Sequence, residues 1–170
     1  MVLLPPWAAS PAAAGTVRHG RVVSANPVNT TPHVLNGIVN AIALVGRTVV
    51  VGGSFSQVRN AGSRTVMERS NIFAYDLATG RVLPGFAPEL NGQVRALVDG
   101  PSGTVYAGGE FTETMVANQA GTLPAVGPAA SGANTNGLVR LRLSDGTPMT
   151  SFGAQVYGGG VTALARSGSR

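Results

Sequence analysis

The stretch Thr48–Phe55 reads T-V-V-V-G-G-S-F, and it returns at Thr104–Phe111 as T-V-Y-A-G-G-E-F. Both ends are displaced equally, since 104 − 48 = 56 and 111 − 55 = 56. A self-match at a fixed spacing means that the chain is built from structural units that bury their apolar faces against one another. The match extends outward. Gly37-Ile38-Val39-Asn40-Ala41-Ile42 precedes the first copy and Gly92-Gln93-Val94-Arg95-Ala96-Leu97 the second. Downstream, Asn71-Ile72-Phe73-Ala74-Tyr75-Asp76-Leu77-Ala78-Thr79-Gly80 answers to Gly137-Leu138-Val139-Arg140-Leu141-Arg142-Leu143-Ser144-Asp145-Gly146, and Phe86 to Phe152. A third opening stands at Gly160-Val161-Thr162-Ala163-Leu164-Ala165.

Each unit reads as four short strands. In the first they fall at about Val39–Leu44, Thr48–Gly52, Asn71–Leu77 and Arg81–Leu83, with tight turns at Val45-Gly46-Arg47 and Ala78-Thr79-Gly80. β-Branched and aromatic residues dominate these segments, and no window sustains a period of 3.6. Strand two is apolar at successive positions, which predicts burial on both faces. Strand one carries Ala41, Ala43, Ala96, Ala163 and Ala165, as a strand in crowded surroundings would. Gly52-Gly53 and Gly108-Gly109 mark a bulge or a close backbone approach. A phosphate cradle there lacks both a lysine and a following helix.

The pattern V-x-A-[IL], V-[VY]-[VA]-G-G-x-F, [IL]-[FV]-x-[YL]-x-L-x-x-G and a later Phe resembles the delta-60 repeats of exported bacterial β-propellers, from Gly20 to the C-terminus. The resemblance implies an all-β chain: a β-propeller fragment of about two four-stranded antiparallel blades plus partial flanking strands. Residues 1–15 then form a signal-peptide remnant or disordered tail, 16–36 an outer strand and link, 37–91 the first full blade, 92–159 the second with a loop insertion at 112–136, and 160–170 the first strand of a third. Gly20-Arg21-Val22 matches Gly80-Arg81-Val82, and Leu35-Asn36-Gly37 matches Leu90-Asn91-Gly92, so Gly20–Ser24 is expected as an outer strand four without its own blade, unpaired or paired opportunistically. Because a propeller needs about four to eight blades, the remaining blades are expected beyond Arg170 or in another chain.

Met1–Gly15 is apolar and Ala-rich, with an A-x-A site at Ala12-Ala13-Ala14, like the second half of a secretory signal. That predicts a secreted or cell-surface bacterial protein. No stretch is long and apolar enough for a transmembrane helix. The net charge of +5 comes entirely from Arg, with no Lys. These residues are scattered, without aromatic interleaving, so nucleic acid is not the expected partner.

Chemistry has little to work with. The chain has no Cys and two His, His19 and His33, without zinc-ligand spacing. There is no G-x-S-x-G elbow and no D-x-D-x-D-G calcium loop. Asp76, Asp99 and Asp145 sit at turns or strand ends, their ordinary structural home. No catalytic residue, metal site or cofactor is expected. The long segments, Ser56–Ser70, Thr112–Asn136 and the inter-unit links, should emerge at one end of the sheets. Any glycan or protein ligand is expected there, with Arg59, Arg64, Arg69, Glu110 and Glu113 as contributors. Two functions stand: a non-catalytic binding or scaffolding module at the cell surface, or the propeller portion of a secreted hydrolase or quinone-dependent dehydrogenase whose catalytic residues lie outside this chain.

Overall fold

A computed structural model describes residues 29–116, 136–149, 151–152, 156 and 159–167. Met1–Gly15, the expected strand at Gly20–Ser24 and residues 117–135 of the expected insertion lie outside these. Among the described residues there are strands and no helix. In chain order they are β1 (His33–Val34), β2 (Ile38–Val45), β3 (Thr48–Ser54), β4 (Gln57–Arg59), β5 (Met67–Glu68), β6 (Ile72–Asp76), β7 (Pro88–Leu90), β8 (Val94–Gly100), β9 (Thr104–Gly109), β10 (Thr114–Val116) and β11 (Leu138–Arg142).

The two copies of the repeat form two three-stranded antiparallel sheets of the same order, β2-β3-β6 and β8-β9-β11. The hairpin between β2 and β3 has a two-residue turn, Gly46-Arg47, with φ +62° at Gly46. A positive φ at the first turn position matches the right-handed twist of the flanking strands. The fourth strand of each unit shrinks to one bridge, Tyr75 with Val82 and Leu141 with Pro148. Each bridge is flanked by two backbone bonds, Asp76 N–H to the Arg81 carbonyl and Leu83 N–H to the Ala74 carbonyl in the first unit, Arg142 N–H to the Thr147 carbonyl and Met149 N–H to the Arg140 carbonyl in the second. The Val82 N–H points away from β6, to Asn60 Oδ1 at 2.8 Å, and Pro148 stands at the matching position. Among the described residues the sheets do not close into a ring.

Strand β3 is buried on both faces, with Val49, Val50 and Val51 exposed by 5%, 0% and 5%. Val50, Ala43, Ile72 and Ala74 face the second sheet and meet Val94, Val105, Ala107, Val139 and Leu141 there. Val49, Val51 and Phe73 face the other way, onto Phe55, Val58 and Val82. Phe55 and Phe73 meet edge to face at 5.6 Å. The chain ahead of the second unit carries Phe86 and Leu90 into the space between the sheets, where they are 0% and 1% exposed.

The sheets lock through a missing side chain. A Cβ on Gly52 would stand 2.5 Å from Val94 Cγ1 and 3.2 Å from Leu97 Cδ1. A Cβ on Gly108 would stand 2.5 Å from Val161 Cγ1 and 3.3 Å from Leu164 Cδ1. The V-x-A-[IL] motif of one unit thus seats on the first glycine of the preceding unit, twice over. Strand three enters through a left-handed residue in both units, Asn71 at φ +69° and Gly137 at φ +78°. Each exchanges backbone bonds with the Gly-Gly-x-Phe segment: Asn71 N–H with the Phe55 carbonyl at 3.0 Å, Gly137 N–H with the Phe111 carbonyl at 2.7 Å. Among ordinary residues asparagine tolerates this conformation best.

Gly52→Val should therefore lower stability by about 1–3 kcal/mol through overpacking against Val94 and Leu97. Denaturant titration checks it. Pairing the change with Val94→Ala should recover part of the loss, and a fully additive double variant would contradict the lock.

Candidate functional site

The described parts of the long segments contain strands. Ser56–Ser70, read as a loop from sequence, folds into β4 and β5, and the chain ahead of each unit pairs with it. β1-β4-β5 forms a small antiparallel sheet, with His33 opposite Arg59 and Val34 opposite Val58. In the second unit β7 pairs with β10, with Leu90 opposite Thr114. The equivalence of the units thus runs on through Val116.

A repeated asparagine clamp holds each of these joins. Asn36 Oδ1 accepts from the N–H groups of Ser56 and Gln57, each at 3.0 Å, and Asn36 Nδ2 donates to Ser56 Oγ at 2.8 Å. Asn91 repeats the pattern on Thr112 and Glu113, at 2.8 and 3.0 Å, with Nδ2 donating to Thr112 Oγ1 at 2.9 Å. The middle residue of each Leu-Asn-Gly therefore ties the inter-unit link to the residues that leave strand two.

The five residues singled out from sequence fall into two groups, and they are not brought together: the tip of the β4–β5 hairpin next to Arg64 folds back to the Thr79–Arg81 turn, with which Asn60–Ser63 shares a cleft. Arg59 lies in β4, Arg64 stands exposed between β4 and β5, and Arg69 follows β5. Arg69 Nη1 donates to the Glu68 carbonyl at 2.6 Å. Burial pushes the Arg69 guanidinium below its ordinary pKa. The Nε atoms of Arg59 and Arg69 are buried and have no hydrogen-bond partner among the described residues. Glu110 and Glu113 belong to the second unit, and both are exposed. Among the described residues no ion pair joins the arginine group to these glutamates.

Glu110 is instead engaged by neighbours that sequence reading passed over. Arg95 Nη2 and Nε reach Glu110 Oε1 at 2.6 and 2.9 Å, and Gln93 Nε2 reaches Oε2 at 2.5 Å. The register shift between Val94 and Ala96 leaves Arg95 as the extra residue of a β-bulge. The shift between Val39 and Ala41 does the same for Asn40, whose Nδ2 donates to the Val94 carbonyl at 2.9 Å across the two sheets. A bulge re-aims the side chain it inserts, so the variable position of V-x-A-[IL] is the polar one. The sign of this was present in sequence: polar residues, Asn40 and Arg95, share one repeat position.

The hydrogen bonds from Gln93 and Arg95, with the charge of Arg95, hold the Glu110 carboxyl below its usual pKa. With both oxygens occupied it is an ionised acceptor, not a general acid. Beside it lies a cleft of about 300 Å³ lined by Gly109–Thr112, Asn136, Gly137, Val156, Gly159 and Gly160. A second cleft, of about 390 Å³, lies among Asn29, Thr30, Asn60–Ser63 and Thr79–Arg81. Neither brings together two carboxylates. Among the described residues no group of three His, Cys, Asp or Glu side chains could hold a metal ion. No described helix is long and apolar enough to cross a membrane.

Comparison with known protein families, curated proteins and solved structures finds no match to the chain.

Since Glu110 titrates lower in the folded chain than its ordinary 4.5, its contribution to stability is complete above that pH and disappears as the pH falls through the folded value. Glu110→Gln should be less stable than the native chain at neutral pH. The two should converge below about pH 4.5, as followed by thermal melting across a pH series. A difference unchanged by acid would show that the carboxylate charge contributes nothing.

Proposed function

We propose that this chain is a non-catalytic repeat module of an exported β-propeller, which binds or scaffolds at the cell surface. One observation carries the reading: two sheets of identical strand order stack with a Val and a Leu of the second over a glycine of the first, and Val161 and Leu164 repeat that contact over Gly108. Radial repetition of such sheets is what a propeller is made of, and further units of the same repeat complete it. The apolar, Ala-rich Met1–Gly15 supports export. The described residues support a binding role over catalysis, because Asp76, Glu110 and Asp145 are each held by hydrogen bonds from their own turn or bulge.

The ligand, a glycan or a protein segment, meets the end of the sheets where β1, β4, β5, β7 and β10 gather. Glu110 and Glu113 are exposed charges there and Arg69 is half-buried, while Arg59 and Arg64 lie further along the β4–β5 hairpin, toward the Thr79–Arg81 turn. Among the described residues the opposite end has the short turns at Gly46-Arg47 and Pro101–Gly103, with the turns after β6 and β11 beside them. Shortening Ser56–Ser70 would remove the fully buried Val58, so point substitutions make the better test. The purified full-length protein is probed on an array of bacterial cell-wall glycans and on intact cells. Glu110→Gln with Glu113→Gln should weaken binding about tenfold, which corresponds to about 1.4 kcal/mol. Arg47→Ala, at the far end, should leave it unchanged. The reverse result places the ligand at the other end. Turnover of a hydrolase or dehydrogenase substrate that depends on residues of this chain would replace a binding role by an enzymatic one.

A further inference from the structure

The lock between the sheets has two sides, and among the described residues one of them is uncovered. Val94 and Leu97 of β8 are covered because the first sheet lies over them, and Val94 is 0% exposed. The same repeat positions in β2 are Val39 and Ile42, exposed by 43% and 64%. Leu44, two residues beyond Ile42 on the same face of β2, is exposed by 55%. Among the described residues nothing takes the place over β2 that the first sheet takes over β8. A contiguous apolar face of this kind marks an interaction surface.

The internal interface says what fits it. The complement of Val94 and Leu97 is the glycine-bearing strand β3, and the complement of Val161 and Leu164 is the glycine-bearing strand β9. At β9 the covering segment is weak. Residues 159–167 belong to no strand. They are held by the Val161 N–H on the Gly109 carbonyl at 3.0 Å and by the Arg166–Asp99 ion pair. β2, by contrast, is already fixed in a hairpin with β3 through Val45 and Thr48. A preordered strand loses less freedom on docking than a segment without strand pairing.

We infer that the Val39–Ile42 face of β2 seats on Gly108 of a second copy of this chain, in place of that copy's residues 161–167. The contact continues the internal stack, with a valine and a larger aliphatic side chain entering the hollow that the glycine leaves. It is heterologous, so each added copy presents a fresh β2 face and association propagates head to tail. The inference stands on the stack alone and needs neither the ring nor the ligand proposed above.

Sedimentation velocity of the full chain over a wide concentration range tests it. The native chain should form larger species as concentration rises. Ile42→Glu should weaken association at least tenfold with an unchanged circular dichroism spectrum, because Ile42 is exposed. Val39→Lys serves as a second variant if Ile42→Glu misfolds. Leu164→Glu, which loosens the segment over Gly108, should strengthen association several-fold. A native chain that is monomeric at every concentration overturns the inference, as does an Ile42→Glu variant that associates normally. Association lost with Ile42→Glu but indifferent to Leu164→Glu also overturns it, since the β2 faces would then be meeting each other and not the glycine.

Discussion

Everything in the molecule depends on a side chain that is absent at Gly52 and again at Gly108. Face-to-face sheets ordinarily stand about 10 Å apart, filled by side chains from both. Here a valine from the next unit enters the plane of the sheet below, to where a Cβ would lie 2.5 Å from it. That approach puts apolar side chains on both sides of β3, so its valines bury on either face. It also demands small residues on the neighbouring strand, which Ala43 and Ala96 supply, at 9% and 7% exposure.

The close approach has a polar cost at the strand ends, and the repeat answers it in the same way twice. The chain leaving strand two must turn at once, and Asn36 and Asn91 satisfy the N–H groups freed by that turn. Asn71 adds a second anchor in the first unit, where its Nδ2 donates to the Leu90 carbonyl at 2.8 Å. In the second unit Gly137 takes the same left-handed conformation with no side chain to offer. The bulges at Asn40 and Arg95 project polar groups beside this turn. The end of the sheets that carries the candidate ligand residues is therefore a by-product of how the strands terminate.

The repeat, the three main strands of each unit and the two-sided burial of strand two were legible in sequence, because an unbroken run such as Val49-Val50-Val51 leaves no polar face to present to water. What was not legible is instructive. β4 reads Gln57-Val58-Arg59 and β7 reads Pro88-Glu89-Leu90, too short and too polar to show alternation. They are strands only because the folded units bring them side by side. The pairing of Arg95 with Glu110 depends on a bulge, which shifts register by one residue and has no composition of its own. The fourth strand of each unit keeps only the two backbone bonds that flank its bridge, a shortening that Arg81-Val82-Leu83 does not announce. Leu-Asn-Gly was visible as a recurrence, but its clamping role follows from the main-chain groups left unpaired in the folded turn.

The order of the strands has a kinetic meaning as well. In each main sheet β2 meets β3, and β8 meets β9, through hairpins whose partners are neighbours in sequence. Each unit can form its hairpin early, before any distant segment arrives, because the loop to be closed is short. Coupling between the units comes later, when Val94 finds Gly52. Such a chain resembles a one-dimensional array, in which each unit is stabilised chiefly by its neighbours. Its cooperativity thus resides in the interfaces, and a change confined to one glycine would separate a single unfolding transition into two.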